Sequence, residues 1–479
     1  VLQKPNLVLH GARIINGLNP KAIDDKTVIV EEGTIVAIGK KEELRIPHDA
    51  VTLDLTGKIL VPGLIDSHLH LAQSGVDDFS KPFAERMYTK LKRNAYLTLK
   101  SGVTTIRNMP GGSSNVIGTF KRRVEQGVVV GPRILASGPA LAPSYGYFSL
   151  KRFFPPNPLA MAILSRVFGA NGLAIDVDTP EEARKAVNRL KKSGADFVKT
   201  VTPGAYIPFA QKDLGLKESL VKQGLNLRMI EASMKPDVLR AIVNKAHDLG
   251  LKVAAHTIAW PEDMAEAVKA GVDSIEHTPL GLIHNDTFAM MEKHTVYWVP
   301  TAYPFYHWTT LIDHPEEYER EEIKELIPEP FYSVGKRGLE KLREGIKSGA
   351  DPMWSRFYAE MEPFKKEYFP ENFRRAKEKG VKIVAGVDAG ASGAGYVPHG
   401  QLINELELFV AHGMSEFEAI QTATTTASEL LGLEGRLGSI EVGKAGDFVV
   451  LDADPLENIS NLRKVSCVFK EGFLLYRRQ

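Results

Sequence analysis

The chain has 479 residues, 43% hydrophobic and 25% charged, with a formal net charge of +1. That composition is ordinary for a globular protein, and the balanced charge argues against a nucleic-acid or membrane-surface partner. One cysteine, Cys467, excludes an internal disulfide and a cysteine metal cluster, and no apolar run approaches the ~20 residues of a bilayer span.

A single cysteine fits a reducing, cytoplasmic setting. The sequence begins at Val1 without methionine, so a trimmed leader stays compatible with it. The first sixty residues read as β-structure: LVLHGARIING, TVIVEEGTIVAIG and AVTLDLTGK alternate apolar and polar positions between glycine-containing turns. The far end repeats the pattern in GSIEVGKAGDFVVLDADP and VSCVFKEGFLLY. Residues 1–59 and 436–479 are therefore expected to pair into one small composite β-sandwich domain.

Between them one unit recurs, a helix ending at glycine and then a short apolar strand. AYLTLKSG runs into VTTIR, EEARKAVNRLKKSG into ADFVKT, and LRAIVNKAHDLG into LKVAAHT. MAEAVKAG runs into VDSIEHT, and FRRAKEKG into VKIVAGVDAG. Glycine just past a helix is the expected cap, because it accepts positive φ without a Cβ clash. Repeated helix-to-strand units imply parallel strands with helical crossovers. The expected class is α/β, with residues 60–435 forming a (β/α)8 TIM barrel, although periodicity alone does not separate that from an open sheet. Residues 308–374, rich in Glu, Lys, Pro and aromatics, interrupt the rhythm and are expected to be a helical insertion, either a lid or an oligomer contact.

Several expected strands end in a residue that titrates or binds metal: His68, His70, Lys199, His256, His277 and Asp388. In a parallel barrel all strand ends open on one face, so these positions converge. The His68–His70 pair in GLIDSHLHL is weak alone, since thirteen histidines in this length supply roughly 0.35 such pairs by chance. Placement adds weight. Residues two apart on a strand point the same way, and two inward imidazoles need partners. Hydrogen-bonded core histidines are the plain alternative. His256 and His277 repeat the placement on successive units, whereas His247, His284, His294 and His307 lack it and read as surface or core. Asp388 follows an apolar run, where an unpaired carboxylate is costly. It either binds metal and serves as general base or caps a following turn. Lys199 is an odd residue for an interior strand end. It either forms a salt bridge or is carbamylated by CO₂ into a carboxylate that can bridge two cations.

Taken in order, PGLIDSHLH, Lys199, His256, His277 and Asp388 resemble the metal pattern of the amidohydrolase superfamily. The β-rich ends resemble it too, through VLHGARIING, VEEGTIVAIG and TATTTASELLGLEGRLGSIEVGKAGDFVVLD. The likeness covers essentially the whole chain and is nearest the imidazolonepropionase-like branch, with its metal-dependent prolidases and N-acyl-amino-acid amidases. It implies that His68, His70 and Asp388 hold one metal, that His256 and His277 hold a second, and that N6-carboxylysine at Lys199 bridges them with a hydroxide. It implies two divalent ions, zinc by default, with Mn, Co or Fe as alternatives. The implied reaction is hydrolysis of an amide C–N bond in a small substrate, an N-acyl amino acid or Xaa-Pro-like dipeptide, with Asp388 moving the proton. Homo-oligomerisation is expected, with no nucleic-acid or membrane partner.

One stretch departs from the pattern. Where prolidase-like proteins carry a TGGHG-type loop, this chain has ASGPALAPSYGYF, which removes a histidine and adds Tyr145 and Tyr147. Tyr145, Tyr147, Tyr206 and Tyr303 are candidates to hydrogen-bond a substrate carbonyl. Arg107 is expected either to meet a substrate carboxylate or to pair inside the barrel. Other readings stay open: a one-metal deaminase or cyclic-amide hydrolase, a lactone, carbamate or phosphotriester hydrolase, or a non-enzymatic assembly protein on the same fold.

Overall fold

The computed structural model describes residues 4–73, 83–111, 114–146, 149, 151, 174–202, 214–222, 227–228, 232–258, 260–327, 329, 331–390 and 397–479. Alternating apolar side chains build the first strands: β1 (Leu7–Ile14), β2 (Ile23–Glu31), β3 (Thr34–Gly39), β4 (Val51–Asp54) and β5 (Ile59–Pro62). Then come β6 (Leu64–Leu69), β7 (Val103–Asn108), β8 (Arg133–Ala136), β9 (Ala140–Ala142) and β10 (Ala174–Asp176). β11 (Val198–Val201), β12 (Val253–His256), β13 (Ser274–Glu276) and β14 (Tyr297–Val299) follow. β15 (Phe448–Leu451), β16 (Val465–Lys470) and β17 (Phe473–Arg477) lie near the far end. β5 to β7 and β11 to β15 carry only buried residues, as strands covered on both faces must.

The two chain ends share one eight-stranded sheet, β17-β16-β15-β5-β1-β2-β3, with β4 paired to β1. The contact between them is antiparallel, β5 on β15, with Val61 opposite Val449. The middle of the chain is mixed α/β with parallel sheets, β6-β7-β8 and β10-β9-β11-β12-β13-β14. β9 and β10 fall inside stretches that sequence patterning leaves as loop, because three residues show no period.

KIVAGVDAG, expected as a regular strand, pairs only through isolated bridges, Trp298 to Ile383 and Leu69 to Ala389. It still lies between β14 and β6. Val384 N donates to Trp298 O at 2.8 Å, Ser67 N to Ala385 O at 3.0 Å, and Asp388 N to His68 O at 2.7 Å. Its irregularity has two causes. Asp388 sits at φ 50, and a Cβ on Gly386 would stand 2.7 Å from His68 Cβ, so only glycine lets the segment lie against His68.

Helices end as expected; Gly271 caps Pro261–Ala270 at φ 87. The stretch around 308–374 is helical throughout most of its length, with helices Tyr303–Asp313, Glu321–Leu326, Phe331–Ser348, Pro352–Pro363 and Phe369–Glu378. Aromatic contacts fasten these helices together, Trp308 to Trp354 at 5.7 Å and Phe305 to Phe364 at 4.7 Å between ring centroids. No helix among the described residues is long and apolar enough to cross a membrane.

Arg133, at the start of β8, ties the parallel strands to the terminal sheet. It donates to Asp447 at 2.7 Å and to Glu471 at 3.1 Å, and Glu471 also receives Lys4 at 3.0 Å and Arg436. Burial pushes the Glu471 carboxyl up, but Lys4, Arg133 and Arg436 outweigh it and hold the group at about 2. An unfolded glutamate titrates near 4.3. The stabilisation is therefore complete above roughly pH 4.3 and is lost as pH falls towards 2. Glu471→Gln is expected to flatten the acid side of the stability curve. Urea midpoints at about pH 5 and pH 2.5 check this; an unchanged slope refutes it.

Candidate metal centre

β6 points alternate side chains the same way, so Asp66, His68 and His70 share one face. All three are buried. Nε2 of His70 lies 3.2 Å, and Nε2 of His68 3.5 Å, from Oδ1 of Asp388. One ligand atom from each of the three residues falls within a 4.8 Å group. Asp66 accepts backbone N–H from His68 at 3.1 Å and Val387 at 3.3 Å, so it joins β6 to the Asp388 segment. Burial raises its carboxyl to about 7.

The outer nitrogen of each ring decides what the inner one can do. His68 Nδ1 stands 2.7 Å from Glu276 Oε2. Glu276 is itself held by Arg107 Nη2 at 2.6 Å and Ser274 Oγ at 2.5 Å. His70 Nδ1 stands 2.5 Å from the Pro110 carbonyl. A carbonyl and an Arg-paired carboxylate accept, so both Nδ1 atoms carry the proton and both Nε2 atoms present lone pairs. Burial, and then the Lys199 ammonium, hold His68 well below the usual imidazole range, in keeping with a neutral ring.

Two lone pairs therefore face a carboxylate oxygen that receives no hydrogen bond from the described residues. Acceptors brought this close repel one another, and a cation among them relieves that repulsion. That donor set, imidazole with carboxylate, suits a divalent metal, and the fixed outer nitrogens are the arrangement that orients metal-binding histidines.

His256 and His277 complete the cluster. Their ring centroids are 4.4 Å apart, and His277 is 4.7 Å from His68. His277 Nδ1 pairs with Thr301 Oγ1 at 2.7 Å. Lys199 is 1% exposed, and its Nζ has no hydrogen-bond partner among the described residues. Burial lowers its ammonium to about 8. All six strand-end residues are thus buried or nearly so, and Lys199 faces the histidines closely enough for its charge to shift His68, His256 and His277.

His277, Thr301 and Asp388 all adopt positive φ, at 75, 45 and 50. Non-glycine residues seldom do so, and such strain gathers at functional sites. At His277 it has a clear use. In a regular strand neighbours alternate faces, so Glu276 and His277 would point apart. The turned backbone lets Glu276 reach His68 while His277 joins the cluster. Sequence periodicity therefore misses Glu276, although it is fully buried; its only signal is a carboxylate inside the apolar strand SIEHT.

The remaining expected residues are placed as follows. Arg107 Nε donates to Ser67 O at 2.6 Å and Nη1 to Ser274 Oγ at 3.0 Å, besides the bond to Glu276. It takes the internal role of its two expected ones. Tyr145, at φ 66, accepts from Arg228 at 3.4 Å. The Tyr303 hydroxyl pairs with His307 Nδ1 at 3.3 Å, and burial raises it to about 12. Backbone N–H groups of Ala302 and Tyr303 both donate to buried Glu405, at 2.8 and 2.7 Å, which fixes the turn after Thr301. Tyr147 and Tyr206 lie outside the described residues.

Parallel strands with imidazole, amine and carboxylate groups gathered at or near their carboxyl ends are a layout suited to metal-dependent hydrolysis. The chain belongs to the amidohydrolase family, whose profile matches residues 59–475. It is 25% identical over 432 residues to ochratoxinase of Aspergillus niger, covering 87% of this chain and 75% of that one. It is 22% identical over 491 residues to imidazolonepropionase of Clostridium tetani, covering 96% and 93%. A solved Xaa-Pro dipeptidase with bound methionine in the active site superposes with a TM-score of 0.71 at 26% identity, covering 99% of this chain and 100% of that one. The chain is thus a hydrolase acting on C–N bonds, in the imidazolonepropionase-like branch of the superfamily.

Proposed function

We propose that the chain is a two-metal amidohydrolase that cleaves an amide bond in a small N-acyl amino acid or Xaa-Pro-like dipeptide. The carrying observation is the close approach of His68 Nε2 and His70 Nε2 to Asp388 Oδ1, an oxygen with no hydrogen-bond donor among the described residues. These three would hold one ion, and His256 and His277 a second, zinc by preference. Lys199, buried with no hydrogen-bond partner for Nζ among the described residues, supports a bridge. Its neutral amine would add to CO₂, forming a C–N bond and releasing one proton, and the resulting N6-carboxylysine would offer a carboxylate to both ions. Bound divalent ions supply an acidified water and a polarised carbonyl.

The chain's own residues supply the rest. Asp388 accepts the proton from the attacking water and passes it to the leaving amine nitrogen. Glu276 and Thr301 hold His68 and His277 in register. Tyr145, Tyr147, Tyr206 and Tyr303 are proposed contacts for the substrate carbonyl. The same reading takes residues 60–435 as a closed (β/α)8 barrel. The Ile383–Ala389 bridges between β14 and β6, and the Asp196 N to Ala136 O bond beside β8, support it. Residues 1–59 and 436–479 are read as the composite β-sandwich domain. Helices 308–374 are proposed as a lid or an oligomer contact.

The test is elemental analysis of purified protein beside a panel of N-acyl amino acids and Xaa-Pro dipeptides. About two ions per chain with release of free amino acid is expected. One ion per chain, with ammonia released or a ring opened instead, would favour a deaminase or cyclic-amide hydrolase.

A further inference from the structure

His399 belongs to no expected strand end, yet it is fully buried. Its Nε2 lies 3.3 Å from the Gln73 carbonyl, so that nitrogen carries the proton and donates. Nδ1 has no partner among the described residues. Burial lowers the imidazole to about 4, so the ring is neutral at ordinary pH. The same carbonyl receives Asn94 Nδ2 at 3.3 Å, and Asn94 also donates to Leu71 O at 2.8 Å.

Gln73 in turn serves His70. Its backbone N–H donates to His70 O at 2.9 Å. Its side chain reaches the Pro110 carbonyl at 3.4 Å, the carbonyl that fixes His70 Nδ1. The segment carrying Asp388 presses on the same point. Gly390 has φ +85, and a Cβ there would stand 2.5 Å from His70 O, 2.9 Å from Gln73 O and 3.1 Å from His399 Nε2. The turn after β6 and the turn after Asp388 are therefore packed against one another with His399 as the polar pin.

We propose that His399 is a positioning residue of the metal centre: by holding the Gln73 carbonyl it sets His70 against Asp388. The inference rests on the metal reading above. His399 touches neither substrate nor ion, and it acts only through Gln73.

The test uses the full chain loaded with Co²⁺ and followed by its visible absorption band, with thermal melting of the metal-free protein alongside. His399→Leu removes the donor, and His399→Gln keeps an N–H. The leucine variant is expected to bind Co²⁺ about ten-fold or more weakly, with an altered band. The glutamine variant should recover most of that loss. Wild-type affinity and band in the leucine variant, with only melting lowered, would reduce His399 to a packing role. If the leucine variant does not fold, His399→Ala, which also removes the donor, takes its place: weaker Co²⁺ binding with an altered band supports the proposal, and wild-type affinity and band overturn it. His70→Ala is the control. Cobalt binding that His70→Ala leaves intact would sink the metal reading and this inference together, whereas a loss in that control alone sinks only the role of His399.

Discussion

Lys199→Ala is expected to lower the metal content from about two ions per chain to about one, and to remove a thousand-fold or more of the hydrolytic rate. The argument starts from burial. A lysine that is 1% exposed, with no hydrogen-bond partner among the described residues, carries a desolvation penalty that the nearby Glu276 and Asp388 carboxylates only partly offset. A structural lysine would be paired. Conversion of the amine to a carbamate changes a lone cation into an anion ringed by His68, His256 and His277, where two cations would be welcome. Alanine would leave those rings without the proposed shared anion, and a second ion would lose a ligand. Elemental analysis of both proteins, with melting curves to show that folding survives, checks this. Unchanged metal content would mean that Lys199 is no bridge, and a single-ion mechanism would follow.

Asp388→Asn is expected to lower kcat by about 10²–10⁴-fold, with KM changing much less. An amide can occupy the same space but cannot take a proton from water. The backbone supports a local effect. Asp388 N donates to His68 O at 2.7 Å, and asparagine tolerates the left-handed conformation that Asp388 holds at φ 50. The fold should persist, so loss of rate with intact melting and unchanged metal content isolates the proton-moving role from the proposed ligand role. A rise in KM with kcat unchanged would assign Asp388 to binding instead.

The site residues were legible because parallel strands bring their carboxyl ends to one side; His68, His70, Lys199, His256 and His277 stand in or just past such strands, and Asp388 follows an apolar run that pairs only through isolated bridges. Legibility stopped where the backbone leaves its period. Glu276 was hidden behind the turned φ of His277. His399 lies in the irregular segment before helix Leu402–Ala411, where no alternation says which side chain is inside. Arg107 was readable as a charged residue on an apolar strand, but its partner was not, since that pairing spans 169 positions of sequence. The helical stretch around 308–374 showed in composition, whereas its aromatic fastening to helix Tyr303–Asp313 depends on tertiary contacts.

The shared terminal sheet sets an order of events during synthesis. β5 takes its antiparallel neighbour from β15, nearly four hundred residues later. A growing chain at roughly 5–20 residues per second therefore carries one edge of β5 unpaired for tens of seconds. Long-range strand pairing of this kind is slow to form and open to mispairing while it waits. A late segment thus closes a sheet begun by an early one, and a ribosome-bound chain stalled before β15 would hold its site-bearing strands complete and its foundation unfinished.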